Sequence, residues 1–156
     1  MRNILILAAG AAIVWAGASQ AGEHRYEISQ TYKDECGSCH VAYPPALLSA
    51  SSWQAVMGGL GKHFGEDASI APDKARELSA WLSARAGRRD SLDGRGQPLL
   101  RISDTAWFRK EHRDGHDGLT PAVWRSKAVG SAANCGACHS NADNGDYSER
   151  GIRLPR

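Results

Sequence analysis

A chain of 156 residues that is 42% hydrophobic and 23% charged has ordinary globular composition, which excludes wholesale disorder and a polytopic membrane protein. Nineteen Lys and Arg against seventeen Asp and Glu leave a net charge of +2, and without interleaved basic and aromatic residues this excludes nucleic acid as a partner. Four cysteines would suggest two disulfides in an exported chain, but their spacing points elsewhere.

The N-terminus comes first. Arg2 is the one charge before Glu23, and Ile4 to Ala18 is an unbroken apolar run. It falls short of the roughly 20 residues of a spanning helix, and the small residues around Ser19-Gln20-Ala21 suit signal peptidase. Residues 1–21 are therefore expected to be a cleaved signal peptide, with an uncleaved anchor as the alternative and the periplasm as the location.

The remaining chain reads as helical, with no strand pattern. The stretch from Tyr26 to Cys39 is a plausible helix. Ser51 or Ser52 can cap a helix carrying Trp53, Val56, Met57 and Leu60 on one stripe. Pro72 opens another with Ala75, Leu78, Trp81 and Leu82 inward and Gly87 as its C-cap. Residues 88–98 are polar and Gly-containing, without apolar periodicity, and read as a linker. Beyond it, Ser103 or Asp104 caps a helix with Trp107, Phe108 and His112, Thr120-Pro121 starts one around Val123 and Trp124, and Ser131 opens a last one. This gives two units, 22–87 and 99–156, each too small to bury much core without a metal, disulfide or cofactor.

One phrase occurs in both units: Cys36-Gly37-Ser38-Cys39-His40 and Cys135-Gly136-Ala137-Cys138-His139. Cys-x-x-Cys-His is the attachment signature of c-type haem, two thioethers with an adjacent imidazole for the iron. Residues three apart share one side of a helical turn, so both sulfurs reach one macrocycle edge. A redox-active dithiol would sit after a strand, and a four-thiolate zinc site gives no reason for the two histidines. With six His in 156 residues, both followers are His by accident about once in 700. Two covalent haems follow, with His40 and His139 as one axial ligand each.

The opposite faces must draw on His24, His63, His112, His116 and Met57. For the first iron, His63 continues the stripe beyond Leu60 and Met57 lies inside it; His63 is preferred because a Met at helical spacing is usually packing. For the second, His112 shares a helix face with Phe108, whereas His116 sits in what reads as a solvated loop; His112 is preferred, and a ligand-free surface His is its alternative. His24 is expected to be frayed, a ligand only if the tail folds back. A carbonyl of Pro44 or a neighbour is expected to accept the His40 ring N–H. Eight basic residues from Arg85 to Arg113 could meet haem propionates, steer an acidic partner, or simply form a solvated linker face.

Ala42-Tyr43-Pro44-Pro45, Trp53 through Met57, His63-Phe64-Gly65-Glu66-Asp67-Ala68, Trp107-Phe108 ahead of His112 and the approach to Cys135 carry a further likeness. Together with the two haem phrases, over about residues 30–150, they resemble the small dihaem cytochromes c of purple photosynthetic and other proteobacteria. The resemblance implies an all-α protein with a class I cytochrome c-like first domain and a second, separate haem domain of small helical and irregular structure. It also implies bis-histidine ligation at both irons, which favours His63 over Met57. As partners it implies the small oxygen-binding monohaem cytochrome called the sphaeroides haem protein as acceptor and a membrane cytochrome b as donor. His116 is left open as an extra candidate.

Saturated irons suit a monomeric, low-potential electron carrier rather than an enzyme, since two imidazoles favour the ferric state relative to His/Met. The competing class is a haem enzyme or gas-binding sensor with one open or displaceable site, and a dehydrogenase subunit is a third reading.

Overall fold

The computed structural model describes residues 24–88 and 91–155; the expected signal peptide and part of the expected linker lie outside them. Among the described residues the regular elements are helices and single 3₁₀ turns, with isolated β-bridges and no strand. The α-helices are α1 (Gln30–Cys36), α2 (Ala50–Gly58), α3 (Pro72–Arg85), α4 (Ala106–Glu111) and α5 (Pro121–Trp124). None is long and apolar enough to cross a membrane.

The first half packs α2 against α3. Trp53, Leu78 and Leu82 are buried with Tyr32, Ala42 and Leu48, and Val56, Met57 and Trp81 lean on that cluster. Two polar groups inside it are satisfied by the loop after the first motif. Trp53 Nε1 donates to the Pro45 carbonyl at 2.8 Å and Tyr32 Oη to the Tyr43 carbonyl at 3.0 Å, as buried donors require. The cap of α2 is Ser49, whose Oγ accepts the Ser52 N–H at 3.2 Å, not Ser51 or Ser52; in a serine-rich stretch the cap falls where the chain turns extended. Gly87 does not cap α3, which ends on Ala86. Instead its N–H donates to Leu48 O at 2.8 Å, and a Cβ there would lie 2.6 Å from Ala46 O. Close backbone approach, rather than helix termination, requires this glycine.

Shorter pieces make up the second half. Thr105 caps α4, accepting the Phe108 N–H at 3.1 Å and donating to Ile102 O at 2.8 Å. The expected cap at Ser103 or Asp104 falls instead in a preceding 3₁₀ turn, Ile102–Asp104. Thr120 caps α5 as expected, with Pro121 in its first turn. The expected helix from Ser131 is a single 3₁₀ turn, Cys135–Ala137, because Gly130, Gly136 and three Asn or Ser residues around it favour turns over helix. Between the halves, Asp93 Oδ1 accepts the N–H groups of Arg95 and Gln97 and Leu92 bridges to Pro98, closing the polar stretch into a turn.

The halves are joined at two places. Tyr26 N–H donates to Gly145 O and Tyr147 N–H to His24 O, both at 2.9 Å, so the N-terminal segment lies along the second half. The expected fraying of His24 is corrected at the backbone, although its side chain is exposed. Gly145 (φ +70) makes this possible, since a Cβ there would collide with Tyr26 O. From the loop after the first motif, Tyr43 Oη donates to Ala133 O at 2.7 Å.

Leu82 is fully buried at the centre of α2 and α3. Leu82→Ala should lower unfolding free energy by about 2–5 kcal/mol, read as a lower urea midpoint at unchanged slope.

Candidate haem sites

The two Cys-x-x-Cys-His phrases are presented differently. Cys36 ends α1, with Cys39 exposed in the turn beyond it. Around Cys135 the turn closes through His139 N–H to Cys135 O at 2.8 Å, and the C-terminal segment covers it through Arg153 N–H to Cys138 O at 2.8 Å. All four thiols are free. Burial raises the pKa of Cys36 and of Cys135, each to about 11, and raises that of Cys138. A redox-active dithiol is favoured by the opposite shift. Among the described residues no group of three or more His, Cys, Asp and Glu is placed to hold a metal ion directly.

Each phrase brings its histidine opposite a second imidazole. The rings of His40 and His63 stand 6.2 Å apart, centroid to centroid, at 27°; those of His112 and His139 stand 6.1 Å apart at 65°. Two imidazoles bonding one metal at roughly 2 Å each would have centroids about 6 Å apart. Both pairs therefore fit a haem iron between them. Met57 leans on the apolar cluster of the first half, whereas His63 is carried by the turn after α2 to face His40. His116 is half-buried in the 3₁₀ turn His116–Gly118 rather than in a solvated loop; its Nδ1 lies 3.2 Å from Asp117 Oδ2.

Ring nitrogens and protonation support this arrangement. His40 Nδ1 lies 2.8 Å from Val41 O, so the carbonyl beside the ring is that of the next residue and not of Pro44, whose own carbonyl accepts Leu47 N–H. His112 Nδ1 is 3.0 Å from Phe108 O, and the Phe108 ring stacks on it at 4.0 Å. Such partners orient an imidazole and expose its other nitrogen. Burial lowers the pKa of His63, His112 and His139; His40 adds to the effect at His63, and His112 at His139. At neutral pH these rings are uncharged, with a lone pair to give.

The second pair opens on a cavity of about 370 Å³ whose lining includes Cys135, Cys138, Phe108, Trp124 and Leu119 beside the two histidines; His24 and His116 also reach it. Three buried polar atoms there, His116 Nδ1, His139 Nδ1 and Tyr147 Oη, have no hydrogen-bond partner among the described residues, the first lying against the Asp117 carboxylate. An apolar cavity between two imidazoles and two thiols, with orphaned donors at its wall, fits a macrocycle carrying polar substituents.

Residues 32–147 match the family model described as dihaem cytochrome c. The chain belongs to the dihaem cytochrome c family. It is similar to the solved diheme cytochrome c from Rhodobacter sphaeroides, with a TM-score of 0.67 and 36% identity over 79% of this chain and 99% of that one. The diheme cytochrome type c from Shewanella baltica aligns with a TM-score of 0.66 and 32% identity over 81% of this chain and 92% of that one. No curated protein matches the chain. The expected all-α fold and two covalent c-type haems agree with these relatives, and the protein is an electron-transfer cytochrome.

Sequence patterning singled out the cysteines and the two facing pairs. It missed the neighbours that complete them: Val41 O at His40, Tyr147 at His139, and Tyr43, whose ring stacks on His40 at 4.5 Å and 13°. Replacing Cys36 and Cys39 with Ala should leave one covalent haem per chain, measured by intact mass and pyridine haemochrome; the Cys135 and Cys138 pair should do the same for the other.

Proposed function

We propose that this dihaem cytochrome c is a periplasmic electron relay in which His40 and His63 hold one iron and His139 and His112 the other. The observation that carries the reading is the near-identical separation of the two imidazole pairs, 6.2 and 6.1 Å. Bound haem supplies a metal that gains and loses one electron. The chain's part is to hold two neutral imidazoles on each axis, so that no position is left for substrate and little rearranges on reduction. Phe108 and Trp124 shield the His112 side, and the carbonyls of Val41 and Phe108 steady one ring of each pair. Two imidazoles without a thioether favour the ferric state, so both couples are low in potential.

The donor proposed is a membrane cytochrome b and the acceptor a small oxygen-binding monohaem cytochrome of the sphaeroides haem protein type; family resemblance supports both. The apolar run from Ile4 to Ala18 supports export, with residues 1–21 removed.

Two low-spin ferric haems are expected in EPR, with distinct signals because the ring pairs cross at 27° and 65°. The reduced protein should form no carbon monoxide adduct, and the oxidised protein should lack a methionine-to-iron charge-transfer band. Ready carbon monoxide binding or a high-spin fraction would overturn the ligand assignment for at least one iron and favour a gas-binding or enzymatic role.

A further inference from the structure

The second half of the chain delivers a cation to the first histidine pair. Arg101 Cζ lies 3.9 Å from the centroid of the Phe64 ring, and that ring lies 4.8 Å from His63. Phe64 is held at φ +52, a left-handed conformation that is costly for an aromatic residue. Its position is fixed by paired backbone bonds on either side, His63 N–H to Glu66 O at 2.8 Å and Glu66 N–H to His63 O at 3.1 Å.

Four other cations of the same basic run are engaged elsewhere. Arg85 forks onto Glu27 at 3.0 and 3.2 Å, Arg109 donates to Asp104 O and Arg113 to Lys110 O, and Lys110 lies 3.4 Å from Glu111. Arg101 has no carboxylate in ion-pair range among the described residues. Stacking on Phe64 engages the face of the guanidinium and leaves its edge, with up to five N–H donors in a planar fork, for an anion.

We propose that Arg101 is the carboxylate-binding residue of the first haem site, receiving a propionate of the haem attached at Cys36 and Cys39. The inference rests on the His40/His63 assignment above. A cation beside an iron favours the reduced state by simple Coulomb attraction, so the second half of the chain tunes the potential of the first haem. An exposed guanidinium could also serve an acidic protein partner; held out in solvent for that role and not on the propionate, its charge is screened, and its removal would change the isolated protein's potentials much less.

The test is a spectropotentiometric titration of the holoprotein and its variants. His63→Met identifies the first-site couple, because a thioether raises it. Arg101→Gln should increase the ferric to ferrous ratio of that couple at fixed ambient potential roughly three- to tenfold, a fall of about 30 to 59 mV for one electron, and leave the other couple in place. Arg101→Lys keeps the charge and should restore most of the shift. Arg109→Gln, which removes a cation already held by the Asp104 carbonyl, should move neither couple. A couple that responds to His63→Met but not to Arg101→Gln overturns the proposal, as does an equal shift of both couples. If His63→Met moves neither couple, the ligand assignment fails first and the proposal falls with it.

Discussion

The dominant constraint on this molecule is a shortage of apolar interior. The first half has a cluster built on Tyr32, Trp53, Leu78 and Leu82, enough to hold two helices together. The second half has α4 and α5, of six and four residues, far below the length at which helices persist unaided. Its buried apolar residues, Phe108, Leu119, Val129 and Ala142, are few, and its aromatic rings face a cavity. A covalently attached macrocycle provides apolar surface for those rings to pack on. It also ties the turn at Cys135 and Cys138 to a large rigid body, much as disulfides and metals supplement other small domains. Irregular backbone is tolerable there because the turns satisfy most of their own hydrogen bonds.

Joining the halves relies on backbone and aromatic contacts more than on charge. One ion pair crosses between them, Arg25 with Asp146 at 3.4 Å, and with its arginine exposed such a pair contributes little. Tyr43 has more consequence. One side of its ring stacks on His40, while its hydroxyl bonds the carbonyl two residues before Cys135. Burial pushes its pKa up to about 12, which keeps it a neutral donor. The first motif also approaches the second directly, since a Cβ on Gly136 would lie 3.7 Å from Val41 Cγ1. Placement of one attachment phrase thus constrains the other.

What the sequence disclosed follows from the range of each interaction. Cys-x-x-Cys-His is local, so its chemistry could be read from five letters. The facing of His63 and His112 was reachable from helix stripes, although His63 lies in a turn and His112 at the cap of α4, where a stripe is a weak guide. Caps were displaced by a few residues wherever serines competed, as at Ser49, Ser51 and Ser52. Gly87 and Gly145 were illegible because their need for a missing Cβ comes from Ala46 and Tyr26, remote in sequence. Arg101 looked like one of eight equivalent cations; only the fold, by setting it over Phe64, distinguishes it.

On the four-histidine reading both irons have the same ligand type, so any difference in potential must come from their surroundings, and the surroundings differ. His40 has a carbonyl beside its Nδ1, which raises ligand basicity and favours the ferric state, whereas His139 Nδ1 is buried without a partner among the described residues; at that site the carbonyl sits instead beside His112. His63 is less enclosed than His112, and the first site has a cation near it that the second lacks among the described contacts. Hydrogen bonding is therefore nearly balanced between the sites, one carbonyl each. Enclosure, charge and the angle between the paired rings, 27° against 65°, are what remain to separate them: the second pair stands in the more apolar setting and the first has Arg101 near it. On that reading, burial and one cross-unit charge would set the two potentials apart, while the paired imidazoles share the one task of keeping each iron closed.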